Sequence, residues 1–394
     1  MRYEATLLTF LRNAELFTPA PVGRRDLVIA AGRILAIGES LSRPGYVRDE
    51  DEIDLGGRRV IPGLIDAHVH VGGGGGESGY ASRVPPIMMG TLARAGVTSV
   101  VGLLGTDSTT RTIEDLVART LGLREEGLSA WCYTGSYQVP PRTLTGSVRG
   151  DIVFVDPIIG VGELAISDHR SSQPTLDELL RIAADCHVAG LTSGKAGIVH
   201  LHLGDGTRGL ELVRRAVTGS ELPARVFQPT HVNRNRKLFD EAVALATEHG
   251  VPIDVTAFAG GDEGHDAAEA IARCLAAPGF PVARLTCSSD GAGCLPVFDG
   301  DGRLVEMDVG RPETLLAELA KLPLATALPV FTANVADQLR LARKGRLEVG
   351  SDADLVVLDE RFAATSVMAR GQWLIRDGAQ MKFGMFERAE GRRS

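Results

Sequence analysis

The sequence predicts an α/β protein: a (β/α)8 (TIM) barrel beside a small β domain that both ends of the chain build. Residues 62–341 alternate apolar, strand-like segments with amphipathic helical segments. This alternation, over about 250 residues, is the expected size of such a barrel. Residues 1–61 and 342–394 instead carry short strand and turn patterns, and the first of these segments is too small for a sizeable core of its own.

Turn signals mark both terminal segments. In residues 26–38, two apolar runs flank an Ala-Gly turn, and in 366–376 two further runs flank Gly371. Residues 53–60 read as a strand with a Gly-Gly turn, and 345–359 as a turn followed by a buried strand. Apolar runs that flank such turns indicate hairpins and short strands.

The central region holds eight apolar segments that we predict as strands: 62–70, 97–105, 129–137, 157–167, 197–205, 226–233, 252–259 and 284–291. Helical patterns separate them. One helix begins near Thr175, where Glu178 completes a capping-box sequence. Chemistry in a (β/α)8 barrel lies at the carboxyl ends of the strands, so the residues that end each strand are the candidate site.

Composition excludes several classes of protein. The net charge of -8 on 394 residues, without a basic stripe and interleaved aromatics, argues against a nucleic-acid partner. Five cysteines form an odd number without framework spacing, which favours a reducing compartment. The amino terminus lacks the long apolar core of a signal peptide, and no run of membrane-spanning length occurs. We therefore expect a cytoplasmic protein that acts on a small molecule and has no membrane partner.

The first strand ends in a His-x-His pair. Pro62-Gly63 opens this apolar strand, and a strand alternates its side chains, so His68 and His70 point the same way, about 7 Å apart along the strand. Two imidazoles on one face can bind one metal ion. A loop of five glycines and then Glu77 follow, and glycine lets backbone approach a ligand closely.

Polar residues also interrupt the later strands, where they are costly unless paired or bound to metal. Four histidines and two carboxylates at five strand ends indicate a metal centre, with two metals as the favoured form: His68, His70, Glu163, His202, His231 and Asp290. His200 shares a face with His202, and we interpret His202 as the ligand and His200 as filling the barrel. The alternative for Asp290 is a helix cap, and for Glu77 a solvated loop acid.

These motifs resemble the amidohydrolase superfamily and, within it, the isoaspartyl (β-aspartyl) dipeptidases. The resemblance covers nearly the whole chain. Residues 350–359 match the split β-sandwich of the superfamily, and five further segments match the dipeptidases: 72–77, 97–107, 166–171, 229–234 and 288–291. The resemblance implies a (β/α)8 barrel with a β-sandwich from both termini, and a homo-oligomer that is an octamer.

The resemblance also implies roles for individual residues. The metal ligands would be His68, His70, His202, His231 and Asp290, with Asp290 also the general base. Tyr137 would polarise the scissile carbonyl, and Glu77 would bind the α-amino group. Substrate contacts would also come from Arg170 and Arg234, which match two carboxylates, and from Gly75, Gly76 and Thr106 around the aspartyl pocket.

Two positions depart from the family pattern. Glu163 stands where the family carries a lysine whose carbamate bridges two metals. We predict that Glu163 bridges two Zn²⁺ ions. Because its side chain is shorter, either the strand or the metals lie further inward, or the second metal binds weakly. Cys294 stands where the family has a substrate-contacting serine. A thiol is the weaker hydrogen-bond partner, and the alternative is an inert buried thiol.

Together these features predict a metal-dependent hydrolase that cleaves the isopeptide bond of β-aspartyl dipeptides by attack of a metal-activated hydroxide. One alternative is another amidohydrolase activity, on a cyclic amide or an N-acyl amino acid. The two arginines with Glu77 favour a zwitterionic dipeptide over a neutral ring. The other alternative is a non-catalytic scaffold barrel, and the intact ligand set argues against it.

Overall fold

A computed structural model of the chain describes residues 8–43, 45, 47–258, 264–298 and 304–387. It is an α/β protein, as predicted. Its strands are β1 (Leu8–Phe17), β2 (Pro21–Ala30), β3 (Arg33–Gly38), β4 (Glu52–Asp54), β5 (Arg59–Pro62), β6 (Leu64–Val69), β7 (Val97–Gly102), β8 (Ser129–Thr134), β9 (Ile158–Ile166), β10 (Ile198–Leu203), β11 (Phe227–Thr230), β12 (Ile253–Thr256), β13 (Leu285–Ser288), β14 (Cys294–Phe298), β15 (Leu304–Val309), β16 (Leu355–Leu358), β17 (Ala364–Ala369), β18 (Gln372–Arg376) and β19 (Ala379–Gln380).

The helices lie mainly between the strands of the central region. They are α1 (Met89–Arg94), α2 (Ile113–Glu126), α3 (Val148–Phe154), α4 (Leu176–Ser193), α5 (Glu211–Gly219), α6 (Arg236–His249), α7 (Ala267–Ala276), α8 (Thr314–Leu319), α9 (Leu324–Phe331) and α10 (Ala333–Gln338). The capping box predicted for α4 is present, with Thr175 and Glu178 each bonding the other's backbone. Among the described helices, none is long and apolar enough to span a membrane.

The central strands form a curled parallel sheet. Strands β6 to β11 pair in chain order, and β12 pairs in parallel with β13. The backbone N–H of Val232 donates to the carbonyl oxygen of Asp254 at 3.4 Å, and the backbone N–H of His70 donates to the carbonyl oxygen of Gly291 at 2.8 Å. These bonds place the β12–β13 pair between β11 and β6. The carboxyl ends of the parallel strands therefore face one side of the molecule.

A strand lies at each of the predicted positions, but the strands end earlier than the apolar pattern suggested. β11 ends at Thr230 instead of 233, and β13 at Ser288 instead of 291. His231 and Asp290 have φ values of 61° and 53°, in the left-handed region, which a strand cannot continue. The polar residues thus leave the ladder and turn into the space above it. The last residue of the predicted strand 252–259, Ala259, lies outside the described residues.

The interior below the carboxyl ends is filled with apolar side chains. One buried cluster contains Val101, Tyr133 and Ile198 from the parallel strands. Val335 of α10 and Leu339, which directly follows α10, belong to the same cluster. Helices and strands enclose a second, larger cluster around them. This packing fills the interior at the amino-terminal end of the strands.

Both ends of the chain contribute to one mixed sheet. Among the described residues its nine strands run in the order β19-β18-β17-β16-β5-β1-β2-β3, with β4 beside β1. Both predicted hairpins are confirmed, as β2–β3 and β17–β18. Gly371 in the second hairpin has φ of 73°, and an added Cβ there would lie 2.8 Å from Cα of Gly32, so the two turns meet through glycine.

Candidate metal centre and its cavity

The six predicted ligands meet at the carboxyl ends of the parallel strands, and all six are buried. They lie on or directly after five strands: His68 and His70 at the end of β6, Glu163 on β9, His202 on β10, His231 after β11 and Asp290 after β13. Residues that lie far apart in sequence therefore converge because parallel strands end at the same edge.

The carboxylate of Glu163 lies at the middle of the cluster. Its Oε2 atom is 3.1 Å from Nε2 of His68 and 3.9 Å from Nε2 of His70. Its Oε1 atom is 2.5 Å from Nδ1 of His202 and 3.3 Å from Nε2 of His231. Each oxygen thus faces a different pair of histidines.

Asp290 completes the cluster on the His68 side. Its Oδ1 atom lies 3.1 Å from Nε2 of His70 and 3.4 Å from Nε2 of His68. Within the described residues, three groups have ligand atoms that all lie within 4.8 Å of one another: His68, His70 and Glu163; His68, His231 and Asp290; Glu163, His202 and His231. The first and last groups share only Glu163, so its carboxylate joins two separate candidate positions.

The chemistry of the cluster fits a bound cation. Nε2 of His68, Oε2 of Glu163 and Oδ1 of Asp290 are buried without a hydrogen-bond partner in the described part of the chain. Burial opposes ionisation, yet the neighbouring imidazoles hold the pKa of both Glu163 and Asp290 well below the ordinary range. Burial also disfavours a charged His68, yet the two carboxylates raise its pKa well above its usual value. A positive charge is therefore favoured between these groups, and imidazole and carboxylate ligands suit Zn²⁺.

Residues behind the cluster orient the imidazoles. Nδ1 of His68 lies 2.8 Å from Nε2 of His200, and Nδ1 of His231 lies 2.7 Å from the hydroxyl of Thr256. Both contacts leave Nε2 of the ligand ring turned towards the cluster. His200 is fully buried and stacks on Tyr133, with ring centroids 5.1 Å apart. Its ring is packed inside the curled sheet, and the structure adds its contact with His68.

A cavity of about 670 Å³ opens above the cluster. Twelve of the predicted site residues line it: His70, Gly75, Glu77, Thr106, Tyr137, Glu163, Arg170, His202, His231, Arg234, Asp290 and Cys294. The remaining two lie close by. His68 is fully buried beneath the cavity, and Gly76 follows Gly75 in the loop without lining it.

The cavity wall carries charges of both signs. Glu77 accepts a hydrogen bond from the hydroxyl of Thr106 at 2.9 Å and lies 3.4 Å from Arg170. Arg234 donates to Asp205 at 3.0 Å, on another part of the wall. The Tyr137 hydroxyl lies 2.8 Å from Nδ1 of His202, next to the centre. A ligand here meets an anionic group, two guanidinium groups and a phenol.

The glycine loop forms one side of the cavity. The backbone N–H of Gly74 donates to the carbonyl oxygen of Ala292 at 2.9 Å, and the carbonyl oxygen of Gly74 accepts from the backbone N–H of Val84 at 2.9 Å. Gly75 has φ of 73°, and an added Cβ there would lie 2.3 Å from the carbonyl oxygen of Ser82. Only glycine fits that backbone, which explains why the loop after the His-x-His strand is glycine-rich.

Several residues of the site were not singled out from the sequence. Asp168 is buried and contacts both His202 and Arg170, and Asp205 contacts Arg234. Phe258, Leu295 and Asp308 also line the cavity. The signal for Asp168 in the sequence is its place in the Ser-Asp-His-Arg motif, two residues before Arg170.

Comparisons with known proteins agree with this geometry. The profile of the amidohydrolase family matches residues 59–374. A crystal structure of a β-aspartyl dipeptidase from Fervidobacterium islandicum AW-1, in complex with the dipeptide β-Asp-Leu, is 41% identical, with a TM-score of 0.91 over 98% of this chain and 100% of that chain. The imidazolonepropionase of Paracoccus denitrificans is 26% identical over 86% of this chain and 88% of its own. The dihydroorotase of Geobacillus kaustophilus is 29% identical over 53% of this chain and 48% of its own.

Proposed function

Because this chain belongs to the amidohydrolase family, we propose that it is a metal-dependent hydrolase that cleaves β-aspartyl dipeptides. The observation that carries the proposal is the set of charges around one cavity, with Glu77 and Arg170 side by side on one part of the wall and Arg234 also lining it, above a cluster of histidines and carboxylates. A solved β-aspartyl dipeptidase with β-Asp-Leu bound, similar over nearly the full length, supports it.

We propose that the curled parallel sheet closes into a barrel. We interpret β6 to β13 as the eight strands of a (β/α)8 barrel, because hydrogen bonds join β12–β13 to both β11 and β6. The mixed sheet from residues 8–62 and 355–380 is the counterpart of the β-sandwich that the family resemblance implies. In such a barrel the metal centre would lie at the expected end of the strands.

We propose that His68, His70 and Asp290 would hold one Zn²⁺, because Oδ1 of Asp290 lies within 3.4 Å of both ring nitrogens, and that His202 and His231 would hold a second, with Glu163 between them. A zinc ion at such a site lowers the pKa of a bound water and polarises a carbonyl. Glutamate would supply a carboxylate to both positions without modification, and its two oxygens face the two histidine pairs.

Two residues beside the centre would handle the proton and the developing charge. The Asp290 carboxylate would take a proton from the attacking water and give it to the leaving amine. Burial, together with the charge of Glu163, raises the pKa of Tyr137 well above its ordinary value. The phenol therefore stays protonated and can donate a hydrogen bond to the carbonyl oxygen as negative charge grows on it.

The wall of the cavity matches the charges of the substrate. A β-aspartyl dipeptide carries one free ammonium group and two carboxylates around its isopeptide bond. Glu77 would bind the ammonium, while Arg170 and Arg234 would bind the two carboxylates. Gly75, Gly76 and Thr106 would border the aspartyl moiety, and Cys294 would contact the substrate where the family has a serine.

The test incubates the zinc-loaded protein with β-Asp-Leu or with α-Asp-Leu and measures the free leucine that hydrolysis releases. We expect cleavage of the β-linked peptide alone. Both peptides carry one ammonium and two carboxylates, but only the β-linkage leaves an ammonium and a carboxylate on the same carbon, and their proposed partners, Glu77 and Arg170, lie 3.4 Å apart. Cleavage of neither peptide, or of both equally, would contradict the proposal.

A second candidate is hydrolysis of a cyclic amide, which the names of the imidazolonepropionase and dihydroorotase relatives favour. These relatives are less similar to this chain than the β-aspartyl dipeptidase. Dihydroorotate and imidazolonepropionate belong in the same assay, and turnover of either one without cleavage of β-Asp-Leu would favour this candidate.

We also propose a reducing compartment and self-association. Four of the five cysteines are buried free thiols, which is common in cytoplasmic proteins. The homo-oligomer, an octamer, rests on the family resemblance. Light scattering coupled to size-exclusion chromatography gives the mass directly, and a monomer would contradict the proposed assembly.

A further inference from the structure

A buried carboxylate outside the ligand cluster connects the metal centre to the substrate-binding wall. Asp168 follows β9, and both of its oxygens are used. Oδ1 accepts from the backbone N–H of Arg170 at 2.7 Å and from its Nε at 3.0 Å. Oδ2 accepts from Nη2 of Arg170 at 2.8 Å and lies 3.0 Å from Nε2 of His202. One side chain therefore contacts a candidate metal ligand and a candidate substrate-binding group.

The arrangement needs a carboxylate at this place. Nη2 of Arg170 and Nε2 of His202 are only 3.3 Å apart. If both carry a proton they repel each other, unless an acceptor lies between them, and Oδ2 of Asp168 is that acceptor. If Nε2–H donates to Asp168, the Nδ1 lone pair is the one turned towards Oε1 of Glu163, 2.5 Å away, so both atoms are oriented for a shared cation.

We propose that Asp168 is a positioning residue that fixes the ring of His202 for metal binding and the guanidinium of Arg170 for the substrate carboxylate. Only the part of this inference that concerns Arg170 rests on the proposed function. Backbone packing keeps Asp168 in place: a Cβ added at Gly204 would lie 2.5 Å from Cβ of Asp168, so β10 continues into a glycine where the two segments touch. A carboxylate that orients a metal-binding histidine typically changes metal affinity by about 10–100-fold.

The substitution Asp168→Asn separates this role from a simple charge effect. An amide offers one oxygen and one NH₂ group, so in either orientation its NH₂ group faces two donors. These are the backbone N–H and Nε of Arg170 in one orientation, and Nη2 of Arg170 with Nε2 of His202 in the other. The matched control is Asp205→Asn. Asp205 uses a single oxygen, Oδ1, for both Arg234 and Asn235, so an asparagine there keeps both hydrogen bonds.

The experiment measures zinc affinity of the full-length protein by competition with a chromophoric chelator. For Asp168→Asn we expect one of the bound zinc ions to weaken by about 10–100-fold while the other keeps its affinity, and for Asp205→Asn no change in either. A merely structural role would weaken both ions together or lower the melting temperature alone. Unchanged zinc affinity in a folded Asp168→Asn variant would overturn the inference.

Two further variants complete the test. Should Asp168→Asn not fold, as judged by circular dichroism, Asp168→Ser removes both oxygens without placing an amide donor against His202, and the same loss of zinc affinity is expected. Arg170→Met keeps the contact between Asp168 and His202, so zinc affinity should persist while KM for β-Asp-Leu rises. Zinc affinity decides the inference whatever the substrate is, whereas failure of the unsubstituted protein to cleave β-Asp-Leu counts against the proposed function alone.

Discussion

The Oε1 atom of Glu163 lies 2.5 Å from Nδ1 of His202, on the side of the carboxylate that faces away from His68. The sequence left open whether a glutamate, shorter than a carboxylated lysine, could reach both histidine pairs from β9. In the structure its two oxygens do face both pairs, within a fully packed strand. The shorter side chain is therefore compatible with a joint ligand for two cations, which makes the following predictions specific.

Replacing Tyr137 by phenylalanine should lower kcat for β-Asp-Leu by about 10²–10³-fold with little change in KM, because a lost donor to a developing oxyanion costs rate and leaves ground-state binding intact. Steady-state kinetics measure both constants. Zinc content should stay at the level of the unsubstituted protein. A Tyr137→Phe variant with full kcat would remove Tyr137 from the chemistry.

Replacing Arg234 by methionine should raise KM for β-Asp-Leu by about 10–100-fold, because a charge-assisted hydrogen bond contributes about 1.5–3 kcal/mol. Arg236→Met is the matched control, since Arg236 is exposed and begins α6 outside the cavity lining. An equal KM for the two variants would show that Arg234 does not contact the substrate carboxylate.

Lys344 should be important for stability and not for activity. Its ammonium is buried and donates to Asp354 at 2.6 Å and to Ser129, at the start of β8, at 2.7 Å, and it lies 2.8 Å from Asp352. Lys344→Met leaves Asp354 buried without its cation, whereas the partly buried Asp352 keeps Arg343, so we expect the free energy of unfolding to fall by about 3–5 kcal/mol. Urea denaturation measures the change, and a loss below that of the exposed control Lys237→Met would contradict the assignment.

The thiol of Cys294 should react slowly at neutral pH. Burial, with the nearby charge of Glu77 adding to it, raises the pKa of this thiol to about 11. The reactive thiolate forms as pH rises towards that value, so alkylation by iodoacetamide should accelerate about tenfold per pH unit between pH 8 and 10. Peptide mass mapping should find Cys294 modified before the four buried cysteines, and β-Asp-Leu should protect it. Fast, pH-independent labelling would contradict the raised pKa.

Much of the fold, and the set of candidate metal ligands, could be predicted from the sequence. Apolar segments of regular spacing located the parallel strands, and alternation placed His68 and His70 on one face, because both patterns depend only on the order of residues along the chain. The predicted strands extend several residues too far towards their carboxyl ends. The apolar pattern continues to residues such as Val232, although the preceding residue, His231, already has a left-handed backbone conformation.

Contacts between distant residues could not be read from the sequence. The bond between His68 and His200, and the position of Asp168 between His202 and Arg170, depend on the register of neighbouring strands and on side-chain rotamers. The same holds for Lys344, which joins β8 to the segment before β16. These are the residues for which the structure adds most to the account of the site.

The most direct test of the central claim is the zinc content of Glu163→Gln, measured by inductively coupled plasma mass spectrometry after gel filtration, beside its activity on β-Asp-Leu. An amide cannot supply two anionic oxygens, so we predict about two zinc equivalents in the unsubstituted protein, and at most about one in the variant, with hydrolysis lost. Glu77→Gln, a cavity glutamate outside the ligand cluster, should keep its zinc. A Glu163→Gln variant with undiminished zinc and activity would contradict the account.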